Sequence, residues 1–319
     1  VLGCAGIAWR RTLPAFADSR QAEVVAVASR DPGKAARFAE RFGCDAVTGY
    51  ERLLDRPDVE AVYLPLPTGL HAEWCERALR AGKHVLAEKP LATTAEEAGH
   101  LARLAGERGL VLRENRMFAH HTQHETVAKL LADGTLGELR VFSSTMAFPP
   151  LPATDVRYRP ELGGGALLDA GYYPIQAALL LVPGELEVLG AALHRDPASG
   201  VDVRGSVLLG TSDGVTAQLT FGFEHSYRSS YELWGSQGRL TLERAFTPPQ
   251  DWRPVLHMRW QDRAEDLTLS PCHQFLAAID AFAAAVRVPD PQQEREHLRT
   301  AVRGAELVDA VRAQNRNRE

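Results

Sequence analysis

Over its first 115 residues the chain alternates short apolar runs with capped helical segments, and this pattern constrains the fold more than any other feature. Residues 23–29 (EVVAVAS) form an apolar, β-branched run. Residues 31–43 (DPGKAARFAERFG) then supply Asp31 as a helix N-cap, Pro32 in the first turn and Gly43 as a stop. Residues 60–67 read as a strand, 70–82 as a helix stopped by Gly82, and 84–89 as a strand. Residues 93–109 read as a helix opened by two overlapping capping boxes, Thr93/Glu96 and Thr94/Glu97, and 110–115 as a strand again. Alternation of this kind with short connections predicts a parallel sheet with helices on both faces.

The pattern then changes. A helix over about 121–133 ends at Gly134, and long strands with turn signals follow. Residues 140–148 form the first. Residues 202–223 read as a hairpin turning at Asp213-Gly214, 230–243 as a second turning between Gly235 and Gly238, and 254–270 as a third. Helices follow at about 273–288 and 293–315, and the terminal RAQNRNRE reads as a frayed tail. The expected division is residues 1–116 as one domain and 117–319 as a second, mostly antiparallel one.

Composition excludes several classes. The formal charge is 36 − 41 = −5 with no long basic run, which argues against nucleic-acid binding. No apolar run approaches the ~18 residues of a membrane span; AALLLV at 177–182 is too short. Cys4, Cys44, Cys75 and Cys272 show no paired or metal-type spacing and read as reduced thiols of a cytoplasmic protein. No signal peptide is visible, and the start at Val1 instead of Met points to further native residues upstream.

Three stretches carry chemistry. Gly3-Cys4-Ala5-Gly6-Ile7-Ala8 approximates the glycine-rich dinucleotide turn, with Ala5 in place of the second glycine; the helix after it would aim N–H groups at phosphate. At the end of the next strand, where NAD enzymes place an acid, the chain has Ser29-Arg30 with Lys34 a turn on. A hydroxyl and a guanidinium suit a 2′-phosphate, which favours NADP(H) over NAD, although Asp31 stands beside them. In HVLAEKP, a buried strand ends in Glu88-Lys89-Pro90. Either the strand merely surfaces there, or Lys89 is aimed at the carboxyl edge where ligands of doubly wound sheets bind; the parallel context favours the second reading.

The third stretch is GGGALLDAGYYPI at 163–175, in which Asp169 and Tyr173 lie four apart on one helical face. Tyr173 is either a core tyrosine or a phenol that meets a lysine and gives up a proton. His120, His121 and His124 lie close together, but no convincing third ligand with a glutamate base accompanies them, so no metal is expected.

The turn at residue 3, EKP at 88–90 and DAGYYP at 169–174 resemble, in order and spacing, the glucose–fructose oxidoreductase / inositol dehydrogenase / rhizopine catabolism (Gfo/Idh/MocA) superfamily over essentially the whole chain. The resemblance implies an α/β protein: an N-terminal Rossmann domain with a doubly wound parallel sheet, then a C-terminal α+β domain with an open, mostly antiparallel sheet. That second domain would supply substrate contacts and the interface of a homo-oligomer, dimer or tetramer. Lys89 and Tyr173 would be catalytic. Members often have histidine at the latter position, so Tyr173 turns the expectation away from inositol and toward sugar oxidoreductases.

A narrower likeness joins GCAGIAWRRTLPA, HAEWCERALRAGKHVLAEKPL, GGGALLDAGYYPI, GVTAQLTFGFEHSY and FTPP to nucleotide-sugar 3-ketoreductases of deoxysugar biosynthesis, a class of antibiotic-pathway chemistry. It implies NADPH-dependent reduction at C3 of a TDP-3,4-diketo-2,6-dideoxyhexose. It implies cofactor contacts at Gly3, Cys4, Ala5, Ile7, Ala8, Trp9, Arg10, Ser29, Arg30, Leu66, His71, Glu88 and Lys89, with Arg157 and Asp169 at the nicotinamide–substrate junction. Arg10, Arg11, Arg157 and Arg159 would supply charge for diphosphates. Phe221, Phe223, Tyr227 and Tyr231 would either stack a thymine or simply alternate in a half-buried strand, the second being the stronger expectation. The rival functions are a sugar or polyol dehydrogenase and a cofactor-binding sensor without turnover, for which the intact Lys89 and Tyr173 leave no motive.

Overall fold

The first strands are held together by three residues at the very start of the chain. In this computed structural model, which describes residues 1–316, β1 (Ala26–Ser29) pairs in parallel with β2 (Asp45–Thr48), and β3 (Ala61–Leu64), β4 (His84–Glu88) and β5 (Leu112–Asn115) form a parallel set. Val1 to Gly3 lie between the two sets. The Ala28 N–H donates to Val1 O at 2.8 Å, Gly3 N–H to Ala28 O at 3.0 Å, and Leu2 N–H to Tyr63 O at 2.8 Å. The spatial order is therefore β2, β1, residues 1–3, β3, β4, β5.

Side-chain alternation divides these strands between two layers. Val27, Tyr63, Leu86 and Val111 pack with α1 (Leu13–Asp18) and α2 (Pro32–Phe42). Ala26, Ala28, Val62, Leu64, Val85 and Ala87 pack with α3 (Tyr50–Leu54), α4 (His71–Arg80) and α5 (Ala95–Arg108). A strand buried on both faces has no polar alternation, which explains its continuous apolar sequence. The caps at Asp31, Gly43 and Thr94 act as expected, whereas the expected Thr93/Glu96 box does not form, because Thr93 gives both its N–H and its hydroxyl to Glu97. Asp31 Oδ1 accepts from Lys34 N–H at 3.1 Å, and Gly43 stops α2 with φ 67°. Thr94 caps α5, accepting from Glu97 N–H at 3.2 Å, while Glu97 Oε2 reaches back to the Thr93 N–H at 3.0 Å.

The second unit comprises Phe118–Gln274 with residues from Glu306 onward; the first comprises Val1–Met117 with Phe275–Ala305. Within the second, α6 (Thr122–Ala132) precedes β6 (Leu139–Ala147), and α7 (Tyr172–Leu181) precedes β7 (Glu187–Arg195), β8 (Asp202–Gly210), β9 (Thr216–Gly222), β10 (Arg228–Gly235), β11 (Gly238–Glu243), β12 (Val255–Trp260) and β13 (Ala264–Thr268). They form one sheet in the order β13-β12-β11-β10-β6-β9-β8-β7, antiparallel except where β6 meets β9. All three expected hairpins form, the first turning at Gly214 with φ 84°. Helix α7 packs on β6 and β9.

The structure bears out the stronger expectation for three of the late aromatics and corrects one other expectation. Phe221, Phe223 and Tyr231 are fully buried, so they build the core and present no face to a thymine; only Tyr227 is exposed. Residues 312–316 of the expected tail are helical, not frayed. After α8 (Gln274–Arg287), α9 runs Pro291–Arg316, and buried Asn315 accepts from the Leu193 N–H at 2.9 Å. Residues 317–319 of the expected tail lie outside the described residues. Among the described residues no helix is long and apolar enough to cross a membrane.

Two of the three clustered histidines, His121 and His124, are structural. His121 caps α6, accepting from Gln123 N–H at 3.2 Å. His124 donates from Nε2 to Ala245 O at 3.0 Å and its Nδ1 accepts from the Tyr231 hydroxyl at 3.0 Å, one consistent neutral tautomer. Burial pushes the pKa of His124 down to about 3 and of His121 to about 4. The unfolded chain therefore binds protons below about pH 6.5 that the folded chain refuses, and stability falls as pH drops from there toward 4. Melting temperature measured across pH 7 to 4 should decline, and the decline should be shallower in His124→Gln, whose amide retains a donor and an acceptor. An equal slope in both proteins contradicts the assignment.

Candidate functional site: a dinucleotide turn, a lysine loop and a tyrosine helix

Gly3 closes the first part of the site. Its φ of +122° is a conformation that favours glycine, and a Cβ there would lie 2.6 Å from Leu66 Cδ2. The turn is thereby packed against the loop after β3. A helical run begins at Gly6, with Trp9 N–H donating to Ala5 O at 3.1 Å, and it is π-helical over Ala8–Thr12 before α1. The first N–H groups of such a run have no partner inside the helix, and Ala5, Gly6 and Ile7 are accessible. The Arg10 guanidinium folds back over Gly6, where a Cβ would lie 2.8 Å from its Nη1. Free N–H groups, a bare glycine and a guanidinium fit a dinucleotide's phosphates. Cys4 turns its Sγ inward toward Ala28 O and is buried, so only its backbone faces the turn. Trp9 packs against Phe38 at 4.8 Å, with Arg41 over its ring at 4.1 Å.

At the end of β1, buried Ser29 accepts from Asp31 N–H at 3.1 Å. Arg30 is exposed, and its charge beside Tyr50 opposes the rise that burial gives that hydroxyl's pKa. Asp31 serves as the α2 cap, so its carboxylate is directed at its own helix. These positions fit a 2′-phosphate better than a free ribose hydroxyl pair.

Lys89 stands half-buried one residue beyond β4, and the Lys89–Pro90 bond is cis. Its surroundings are tightly held. Glu88 Oε1 accepts from the Tyr63 hydroxyl at 2.6 Å and from Asn115 Nδ2 at 2.8 Å, and Tyr63 in turn contacts Thr12 Oγ1 at 2.9 Å. Burial pushes the Glu88 carboxyl pKa up, while those hydrogen bonds oppose the rise. After Pro90, the Leu91 N–H donates to Glu114 Oε1 at 2.7 Å. His71 is buried, with Nδ1 2.8 Å from Pro90 O and Nε2 2.8 Å from Leu66 O. Its ring thus bridges the lysine loop to the loop that packs on Gly3, and burial lowers its pKa. Tyr63, Asn115 and Glu114 escape a reading of the sequence. A polar end to an apolar strand, as in LREN, is the only signal they leave.

In the second unit two of the three glycines at 163–165 allow close approaches. A Cβ at Gly164 would meet Arg157 O at 2.6 Å, and one at Gly165 would meet Asp202 Oδ1 at 2.5 Å. The glycine loop therefore lies directly on the 157–159 segment, and Asp202 Oδ2 accepts the Leu167 N–H at 2.6 Å where the helix opens. This brings Arg157 against Asp169, an ion pair completed by Asp155 at 3.1 Å. The Asp169 carboxylate holds the guanidinium charged. Arg159 pairs with Glu161 at 2.6 Å. Residues 167–171 are π-helical, and α7 then carries Tyr173. Its ring lies 5.4 Å from Phe246 and 5.9 Å from Phe118, and it is 8% exposed, so the ring is fixed by packing.

The chain matches known proteins along its length. Residues 1–116 match the oxidoreductase family with an NAD-binding Rossmann fold, and residues 124–241 match the GFO/IDH/MocA C-terminal domain. It is 53% identical to a dTDP-3,4-didehydro-2,6-dideoxy-alpha-D-glucose 3-reductase of Saccharopolyspora spinosa, over 98% of this chain and 95% of that protein. Among solved structures it resembles KijD10, a 3-ketoreductase from Actinomadura kijaniata in complex with NADP and TDP-benzene, with 52% identity, a TM-score of 0.94 and coverage of 98% of this chain and 95% of the other. A Caulobacter crescentus aldose-aldose oxidoreductase shares the fold at 24% identity and a TM-score of 0.87, over 100% of this chain and 97% of that one. With the turn, the lysine loop and the tyrosine helix all present, the chain belongs to the GFO/IDH/MocA family of oxidoreductases.

Proposed function

We propose that the protein is an NADPH-dependent ketoreductase that converts the 3-ketone of a TDP-linked 3,4-diketo-2,6-dideoxyhexose to a hydroxyl. The observation that carries this reading is the held Lys89: a half-buried ammonium at the carboxyl end of a parallel strand, in a chain whose relatives at 50–53% identity are 3-reductases of that sugar class. Residues 1–116 hold the cofactor in this reading, and residues 117–319 supply the substrate and oligomer contacts. The outer face of the eight-stranded sheet, which exposes Leu208 and Trp234, suits the interface of a homo-oligomer.

When bound, the nicotinamide cofactor would supply the hydride for the ketone carbon. The chain's own residues manage the charge that develops on oxygen. Lys89 places an ammonium beside the forming alkoxide, and the Tyr173 hydroxyl donates a hydrogen bond and then the proton. Glu88, fixed by Tyr63 and Asn115, keeps the lysine loop in register with β3 and β5. The accessible backbone N–H groups of Ala5 and Ile7 would donate to the phosphates, while Gly3, whose own N–H is held by Ala28 O, and buried Ala8 shape the turn; Arg10 adds charge, and Arg157–Asp169 orients the substrate edge. His71 and Leu66, joined to each other and to the lysine loop, would line the cofactor site.

Arg30 and Ser29 set the preference for the 2′-phosphate. Arg30→Ala should raise the KM for NADPH roughly tenfold or more, on the scale of a lost charged hydrogen bond, and leave the KM for NADH nearly unchanged. A wild-type kcat/KM that favours NADH contradicts this part. Because diketo sugars are unstable, turnover is followed as NADPH loss with an upstream 2,3-dehydratase generating the substrate in place. Turnover of free sugars or inositol, with none of the TDP-linked compound, would make the protein a dehydrogenase instead.

A further inference from the structure

The arginines expected to hold a substrate diphosphate are already engaged: Arg157 by Asp169 and Asp155, Arg159 by Glu161. Another arginine of the same unit is not. Arg244 has no carboxylate partner among the described residues, and its guanidinium lies instead 5.6 Å from the ring centroid of Tyr227 and 5.0 Å from that of Trp252. Both rings are exposed, Tyr227 at 45% and Trp252 at 37%, which core packing does not explain.

The backbone at Arg244 is strained: its φ of 51° is the sole positive value among the described residues other than glycine. Such a conformation persists only where the surroundings over-determine it, and these sites cluster at ligand clamps. Here the next two residues are pinned from three elements. Ala245 N–H donates to Ser229 O at 2.9 Å, and Phe246 N–H donates to Ser229 Oγ at 3.1 Å. Ala245 O accepts from Gln123 Nε2 at 2.8 Å and from His124 Nε2 at 3.0 Å, and Phe246 O accepts from Gln274 Nε2 at 3.1 Å. Tyr227 is tied to the same loop through Thr247 Oγ1 at 3.1 Å. The pinned segment thus carries Arg244 at one end and, at the other, Phe246 against the ring of Tyr173.

We propose that Tyr227, Arg244 and Trp252 form the seat for the nucleoside diphosphate of the substrate, the guanidinium holding the diphosphate and the aromatic rings the pyrimidine. A guanidinium fork matches phosphate oxygens bidentately, and flanking rings fix its plane before the ligand arrives. Stacking on tyrosine and tryptophan holds a base by its π-face. Two residues of chain span at most about 7 Å, so a sugar linked to a diphosphate at Arg244 extends along residues 244–246 toward the Tyr173 wall. This assignment rests on the ketoreductase reading and adds the residues that select a nucleotide-linked sugar over a free one.

Calorimetric titration of TDP, and separately of inorganic pyrophosphate, into the full-length protein saturated with NADP tests it. Arg244→Gly suits the left-handed backbone and so retains the fold while removing the charge. It should weaken both ligands about tenfold or more. Tyr227→Ala and Trp252→Ala should weaken TDP by a similar factor and pyrophosphate little. NADP affinity and melting temperature should stay near wild type in all three. If the folded variants bind TDP within twofold of wild type, or change only the oligomeric state, the seat lies elsewhere and the proposal falls while the ketoreductase reading stands. If wild-type protein binds no TDP, both fall.

Discussion

Replacing Lys89 by alanine is expected to lower kcat by roughly 10²–10⁴, the range for loss of a positioned acid–base group, while NADPH affinity changes by no more than a few fold. The effect falls on kcat because the lysine's proposed partner, a developing alkoxide, exists only in the transition state. The fold should survive the change. Glu88 is held by Tyr63 and Asn115, and the chain after Pro90 by His71 and Glu114, and none of these contacts uses the lysine side chain. Stopped-flow single turnover and fluorescence titration of NADPH on the same preparation separate the chemical step from binding. Near-normal turnover by the folded variant would remove Lys89 from the mechanism.

Tyr173→Phe is the second large effect. The ring remains and still packs on Phe118 and Phe246, so the variant differs by one hydroxyl. Loss of a hydrogen bond to a developing oxyanion costs about 10²–10³ in rate. On the proposal that the phenol and the ammonium serve the same developing charge, the Lys89→Ala, Tyr173→Phe double variant should be slower than either single variant by much less than the product of their effects. Fully multiplicative losses would mean that the two groups act on separate steps.

Much of this was legible in local sequence because the signals are local. Asp31, Thr94, Gly43 and Gly214 each act within a few residues, so caps and hairpins are read where they stand. The edges were harder. Strand β2 is mostly exposed, and β7 shows only weak alternation with a shift of register at Gly190, so neither has the apolar run that marks an interior strand. Asn315 is polar and near the terminus, yet burial against Leu193 makes the last turns of α9 part of the second unit's structure. Of the candidate site, spacing alone puts Lys89 at a strand end and Tyr173 on a helix. It does not show that the His71 ring is enclosed between two carbonyls, or that three of the four late aromatics face inward. Those facts depend on which tertiary neighbour lies opposite. Arg244 was invisible for a further reason: nothing in a sequence marks an arginine with left-handed φ.

The central claim is hydride delivery to C3 of a TDP-linked sugar, and isotope transfer tests it most directly. The TDP-3,4-diketo-2,6-dideoxyhexose is generated in place and reduced with NADPH deuterated at the transferring C4 position, and the product is analysed by NMR and mass spectrometry. The account predicts a TDP-4-keto-2,6-dideoxyhexose carrying one deuterium, located at C3, formed by wild-type protein and almost absent with Lys89→Ala. Deuterium at C4 of the sugar, or no transfer to the nucleotide sugar while a free sugar is turned over, would contradict it.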